Sequence, residues 1–197
     1  MKTADHLLLG QYLAEQCSTP QLRCHRSAFL LGCVEPDYNV FSYFRGMRSC
    51  EKLRGHNAEN SFAFLSHCFT DFDGKALRSA WDYFQLGTML HYAADAFTAP
   101  HNRFWHGSLA EHCAYEAALH LEFRRMLASA HPEQISYRDY IPLHESYCGE
   151  VPGMETDFRY ILTVCLSLLR KYSLRTAEPE GDRCDDSDQD QLVQVGR

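Results

Sequence analysis

At 197 residues the chain is long enough for one domain with a substantial core, and 45% hydrophobic against 23% charged residues is the composition of a folded globular protein. A net charge of −7 excludes a broad basic surface for polyanions, and no apolar run approaches the roughly 20 residues of a membrane span. Nine cysteines without a C-x-x-C pair read as reduced, intracellular thiols.

Taken in chain order, the sequence begins with helical spacing from Ala4 to Cys17. Asp5, His6 and Glu15 flank the short apolar run Leu7 to Leu9 and break any signal-peptide core, so this segment is expected to be mature, cytoplasmic protein. Ser18-Thr19-Pro20 breaks the helix. A second one from Gln21 to Leu31 leads to the turn Glu35-Pro36-Asp37, which places Asp37 on a loop. Aromatics from Tyr38 to Phe44 precede a polar link through Gly46 and Gly55, and Asn57 to Phe69 reads helical again, with His56 at its entrance.

Asp73-Gly74 is a stop, after which Lys75 to Phe97 carries a broad apolar face and is the expected central helix. Pro100 ends it, Ser108 offers an N-cap, and Leu109 to Ala130 forms another long helix. A looser segment with Pro142, Pro152 and Gly153 precedes a last helix from Glu155 to Tyr172. From Thr176 the chain is rich in carboxylates and poor in large apolar groups, so 176–197 is expected to be an acidic, disordered tail behind a helical domain of residues 1–175. With no alternating strand pattern and no glycine-rich phosphate loop, the class is all-α.

Three features carry chemistry. His91-Tyr-Ala-Ala-Asp95 puts an imidazole and a carboxylate on one helix face, where a plain hydrogen bond or a shared metal ion both fit the spacing. His101 follows directly after Pro100, where the chain can turn back toward the same pocket. His112-Cys-Ala-Tyr-Glu116 repeats the same-face pairing on the next helix, and two such pairs on successive helices favour metal.

These residues, HYAADAFTAPH and EHCAYE, resemble the zinc-dependent phospholipases C and the related S1/P1-type nucleases, which share H-x-x-x-D, then P-H, then H-x-x-x-E in that order. The resemblance extends upstream to FLLGCVEPD, to GHNAEN around His56 and to His6 in the first helix. It implies a compact single-domain helix bundle around a multinuclear zinc site. Asp37, His56, His91 and Asp95 would hold the first zinc and His101, His112 and Glu116 the second. Asp95 would bridge to a third ion that His6 helps bind. In the secreted enzymes an N-terminal tryptophan also holds the third zinc through its amino group and carbonyl, and Met1 stands there in this chain.

The resemblance further implies hydrolysis of a phosphodiester, with a phospholipid as its best-known substrate, by a zinc-bound hydroxide, with Asp37 as metal ligand and general base. An S1/P1-like nuclease or other small phosphoesterase is the enzyme alternative, with nucleic acid as its partner. A non-catalytic domain whose metal stabilises the fold is the other. Neither an adjacent His-Asp dipeptide nor E-x-x-H is present, which sets aside HD-type phosphohydrolases and ferritin-like di-iron sites. Of the remaining histidines, His25 reads as structural, and His67, His106, His131 and His144 as surface or supporting groups. His120, one turn beyond Glu116, is placed to orient that carboxylate. Phe97, Phe104, Trp105 and the aromatics Tyr38 to Phe44 either wall the cleft or, as aromatic stripes usually do, belong to the core.

Overall fold

The computed structural model describes residues 1–44 and 56–173, so the link through Gly46 and Gly55 and the acidic stretch 176–197 lie outside it. Among the described residues the fold is all-α: α1 (Thr3–Gln16), α2 (Pro20–Cys24), α3 (Arg26–Tyr38), α4 (Ala58–Phe72), α5 (Ala80–Ala96), α6 (Leu109–Ala128), α7 (Tyr140–Cys148) and α8 (Met154–Ser173). Short 3₁₀ turns occupy Val40–Phe44, Ala99–His101 and Pro132–Gln134. No described helix is long and apolar enough to cross a membrane.

The expected central helix is central. Every residue from Leu86 to Asn102 is buried, because α1, α3, α4 and α8 all pack on α5 and leave it no polar face. Its closest partner is α3, and two glycines make that approach possible. A Cβ on Gly32 would stand 2.0 Å from the Phe84 carbonyl oxygen, and one on Gly87 would stand 2.1 Å from that of Phe29. The two backbones therefore touch directly.

Phe97 lies in the core, fully buried and ringed by Tyr140, Tyr147 and Tyr160, and does not wall a cleft. Asp37 also departs from the loop expected for it. α3 runs on through Pro36, so Asp37 occupies its last turn, closed by the Asn39 N–H on the Glu35 carbonyl at 2.9 Å. A proline disfavours helix at this position, but the extended contact of α3 with α5 outweighs that local preference. The helix read as Gln21 to Leu31 is instead split at His25 into α2 and α3. The segment around Pro142 folds as α7, because proline near the start of a helix gives up an N–H that has no partner in any case.

α5 begins at Ala80, five residues later than the apolar spacing implies, because Ser79 and Asp82 form a capping box. One Asp82 oxygen accepts the Arg78 and Ser79 N–H groups at 3.1 and 2.9 Å and the other pairs with Lys75. Burial opposes this charge, but Lys75 and those N–H donors overcome it and hold the carboxyl down at about 2. Its contribution is therefore complete above the unfolded value of 3.8 and fades as pH falls toward the folded one. Asp82→Asn should cost about 1–2 kcal/mol in urea unfolding at neutral pH. The gap to wild type should narrow below pH 4; a gap that stays constant down to pH 2.5 would contradict this account.

Cys24 is disulfide-bonded, which corrects the expectation of nine reduced thiols. A search for C-x-x-C pairs cannot detect cysteines that only the tertiary fold brings together. Cys17, Cys33, Cys113, Cys148 and Cys165 are free thiols.

Candidate metal centre

The eight residues singled out in the sequence come from six segments and meet at one end of α5. They form three groups, each able to hold a metal ion: His6, His91 and Asp95; Asp37, His56 and His91; and His101, His112 and Glu116. α5 supplies His91 and Asp95 one helical turn apart, and α6 does the same with His112 and Glu116. Asn57 caps α4 through its side chain, accepting the Asn60 N–H at 2.8 Å, and this sets His56 just before the first turn.

Hydrogen bonds on the outer side of the rings define what faces inward. The Nδ1–H of His91 donates to the Cys33 carbonyl at 2.9 Å, which leaves Nε2 as a lone pair. Ser42 donates its single proton to the Pro36 carbonyl at 2.6 Å, so it accepts from His56 Nε2–H at 2.8 Å and leaves His56 Nδ1 as a lone pair. These two nitrogens lie 3.3 Å apart. Asp95 Oδ2 sits 3.1 Å from the first and 3.4 Å from the second. Asp37 Oδ1 stands 3.7 and 3.6 Å from the same two atoms, beyond hydrogen-bond range, and its buried Oδ2 has no hydrogen-bond partner.

With both imidazoles neutral, the ring nitrogens and carboxylate oxygens that face one another here are all acceptors, an arrangement that a bound cation stabilises. The donor set of imidazole and carboxylate, with each ring held from behind, is what zinc takes. The residues thus fit the ion.

The second group is built in the same way. His101 donates Nδ1–H to the His56 carbonyl at 3.0 Å and turns Nε2 toward Glu116 Oε1 at 3.1 Å, and His112 Nε2 meets the same oxygen at 3.1 Å. Between the groups stands the Met1 amino group, 2.8 Å from Asp95 and 2.9 Å from Glu116. Burial opposes its charge, yet the two carboxylates outweigh that and push it up to about 11. Burial also works against the Asp95 and Glu116 anions, but their cationic and hydrogen-bonding neighbours hold both well below the usual carboxylate range. His6 stacks on His91 at 3.7 Å, and burial together with that neighbour pushes it down to about 4, into the neutral form a metal requires.

Three contacts differ from the sequence reading or were absent from it. Ser42, which orients His56, has no signal in the sequence, since hydroxyls on aromatic-rich turns are common. His120 does not orient Glu116; its Nδ1 meets the buried Asp5 at 2.7 Å and fastens α1 to α6. His144 braces the segment after α5, with Nε2 at 3.1 Å from the Ala96 carbonyl and 3.0 Å from Asn102.

A family profile described as zinc-dependent phospholipase C matches residues 5–170. No curated protein and no solved structure matches the chain significantly.

Proposed function

This chain belongs to the zinc-dependent phospholipase C family, and we propose that it hydrolyses phosphodiester bonds of phospholipid-type substrates at the centre described above. The observation that carries this reading is the facing pair of lone pairs on His56 Nδ1 and His91 Nε2, 3.3 Å apart among carboxylate oxygens. Asp37, His56, His91 and Asp95 would hold one zinc, and His101, His112 and Glu116 a second. Asp95 and His6 would hold a third. Bound zinc supplies Lewis-acid chemistry, lowering the pKa of water and offsetting charge that develops on phosphate oxygens.

The protein's own part is to fix and exclude. The carbonyls of Cys33 and His56 and the hydroxyl of Ser42 lock three rings in single tautomers, so no reorganisation is needed during turnover. Asp95 is fully enclosed, which leaves approach to the less covered side, where Asp37, His112 and Glu116 are partly exposed. Asp37, partly exposed on that side, would take the proton of an attacking water.

Purified protein should contain zinc and hydrolyse a chromogenic phosphodiester, and chelation should abolish turnover while far-UV circular dichroism keeps its helical signal. Asp37→Asn should lose metal, activity or both. Loss of helicity on chelation, with no turnover before it, would instead identify a metal-stabilised, non-catalytic domain. A variant at Asp37 with full zinc and full activity would remove that residue from the mechanism.

A further inference from the structure

Asp157 lies in the first turn of α8, a helix that contributes nothing to the three candidate metal groups, and is completely buried. Its Oδ2 accepts the Ala99 N–H at 2.8 Å and the Tyr115 hydroxyl at 2.8 Å, while Oδ1 accepts the Tyr147 hydroxyl at 2.8 Å. Ala99 opens the 3₁₀ turn that ends at His101, and Tyr115 adjoins Glu116 on α6, one turn beyond His112. One buried carboxylate therefore grips both elements that supply the second group.

The chemistry of the grip is specific. Three donors converge from three elements, and only a branched polar side chain with two hydrogen-bonding arms meets all of them. Such a group is costly to bury, and apolar packing would join the same helices more cheaply. What apolar packing lacks is direction: it would leave the turn and α6 free to shift by the fraction of an ångström that separates good from poor ligand geometry.

We propose that Asp157 is a positioning residue for the metal site formed by His101, His112 and Glu116, holding the Ala99–His101 turn and α6 at the separation that zinc requires. The proposal rests on the reading that this group holds a zinc. Asp157→Asn preserves it, because the amide oxygen can keep Ala99 and Tyr115 while the Tyr147 hydroxyl rotates to accept from the amide nitrogen. Asp157→Ala abolishes it. Tyr147→Phe removes only the bond to α7, which carries no candidate ligand.

The test is a Zn²⁺ titration of the full chain against a chromophoric chelator, with His112→Ala marking which equivalent belongs to the second group. Asp157→Ala should weaken that equivalent by about 10- to 100-fold and leave the others unchanged. Asp157→Asn and Tyr147→Phe should stay within about twofold of wild type, and in a His112→Ala background Asp157→Ala should cost no further zinc. Should Asp157→Ala fail to fold, Tyr115→Phe, which cuts the α6 bond alone, should weaken the same equivalent. Uniform weakening of every equivalent, equal weakening by Tyr147→Phe, or a lower melting temperature with unchanged zinc binding would each overturn the role. If His112→Ala itself costs no zinc, the ligand assignment fails and the proposal falls with it; if it does and Asp157→Ala does not, Asp157 alone is refuted.

Discussion

On the proposed ligand set, an Asp95→Ala variant should lose both a zinc held with His56 and His91 and an ion next to His6, and the proposed hydrolytic rate should fall by about 10²- to 10³-fold or more. No other side chain touches so much of the centre. Oδ1 lies 2.8 Å from the Met1 amine and 3.1 Å from His6 Nε2, while Oδ2 lies 3.1 Å from His56 Nδ1 and 3.4 Å from His91 Nε2. Removing it also leaves a buried ammonium without its nearest counter-charge. The metal-free protein should therefore lose about 3–5 kcal/mol of stability, the scale for breaking a buried pair from one side. Asp95→Asn keeps the volume and removes the charge, so it separates packing from electrostatics. Elemental analysis and denaturant unfolding of both variants check the prediction, which fails if zinc content and activity stay at wild-type levels.

The second large effect lies outside the centre. Gly87→Ala should destabilise the protein by about 3 kcal/mol, the upper end for overpacking, because its Cβ would fall 2.1 Å from the Phe29 carbonyl oxygen and backbone cannot swing aside as a side chain can. The helices must part, and α3 carries Asp37 while α5 carries His91 and Asp95. Zinc content should accordingly drop along with the melting temperature, although no ligand is altered. Gly153→Ala, where an added Cβ meets nothing within 4 Å, is the control and should melt like wild type. Wild-type melting of Gly87→Ala would show that the α3–α5 contact is looser than described.

Much of this was legible because helical spacing is periodic. His91 and Asp95, or His112 and Glu116, announce a shared face as soon as the segment is known to be helical, and the apolar surroundings of α5 mark it as central. Asp37 is legible from its neighbours but not its helical setting, since proline dominates the local signal and the contact between α3 and α5 is not local. Ring orientation was illegible for a different reason: two of the three groups that set it are main-chain carbonyls, which every residue possesses. His120 illustrates the limit of spacing arguments. Glu116 is the carboxylate one turn away on the same helix face, but Asp5, 115 residues away in sequence, is the one it meets.

His56 serves both halves of the centre: its ring nitrogen faces Asp95 and His91, and its carbonyl takes the proton that orients His101. One residue thus belongs to one candidate group and orients a member of the other. An ion that immobilises the His56 ring also steadies the carbonyl against which His101 leans, so part of the ordering cost of the second ion is already met when the first has bound. On the proposed ligand set, filling of the first group thus favours filling of the second.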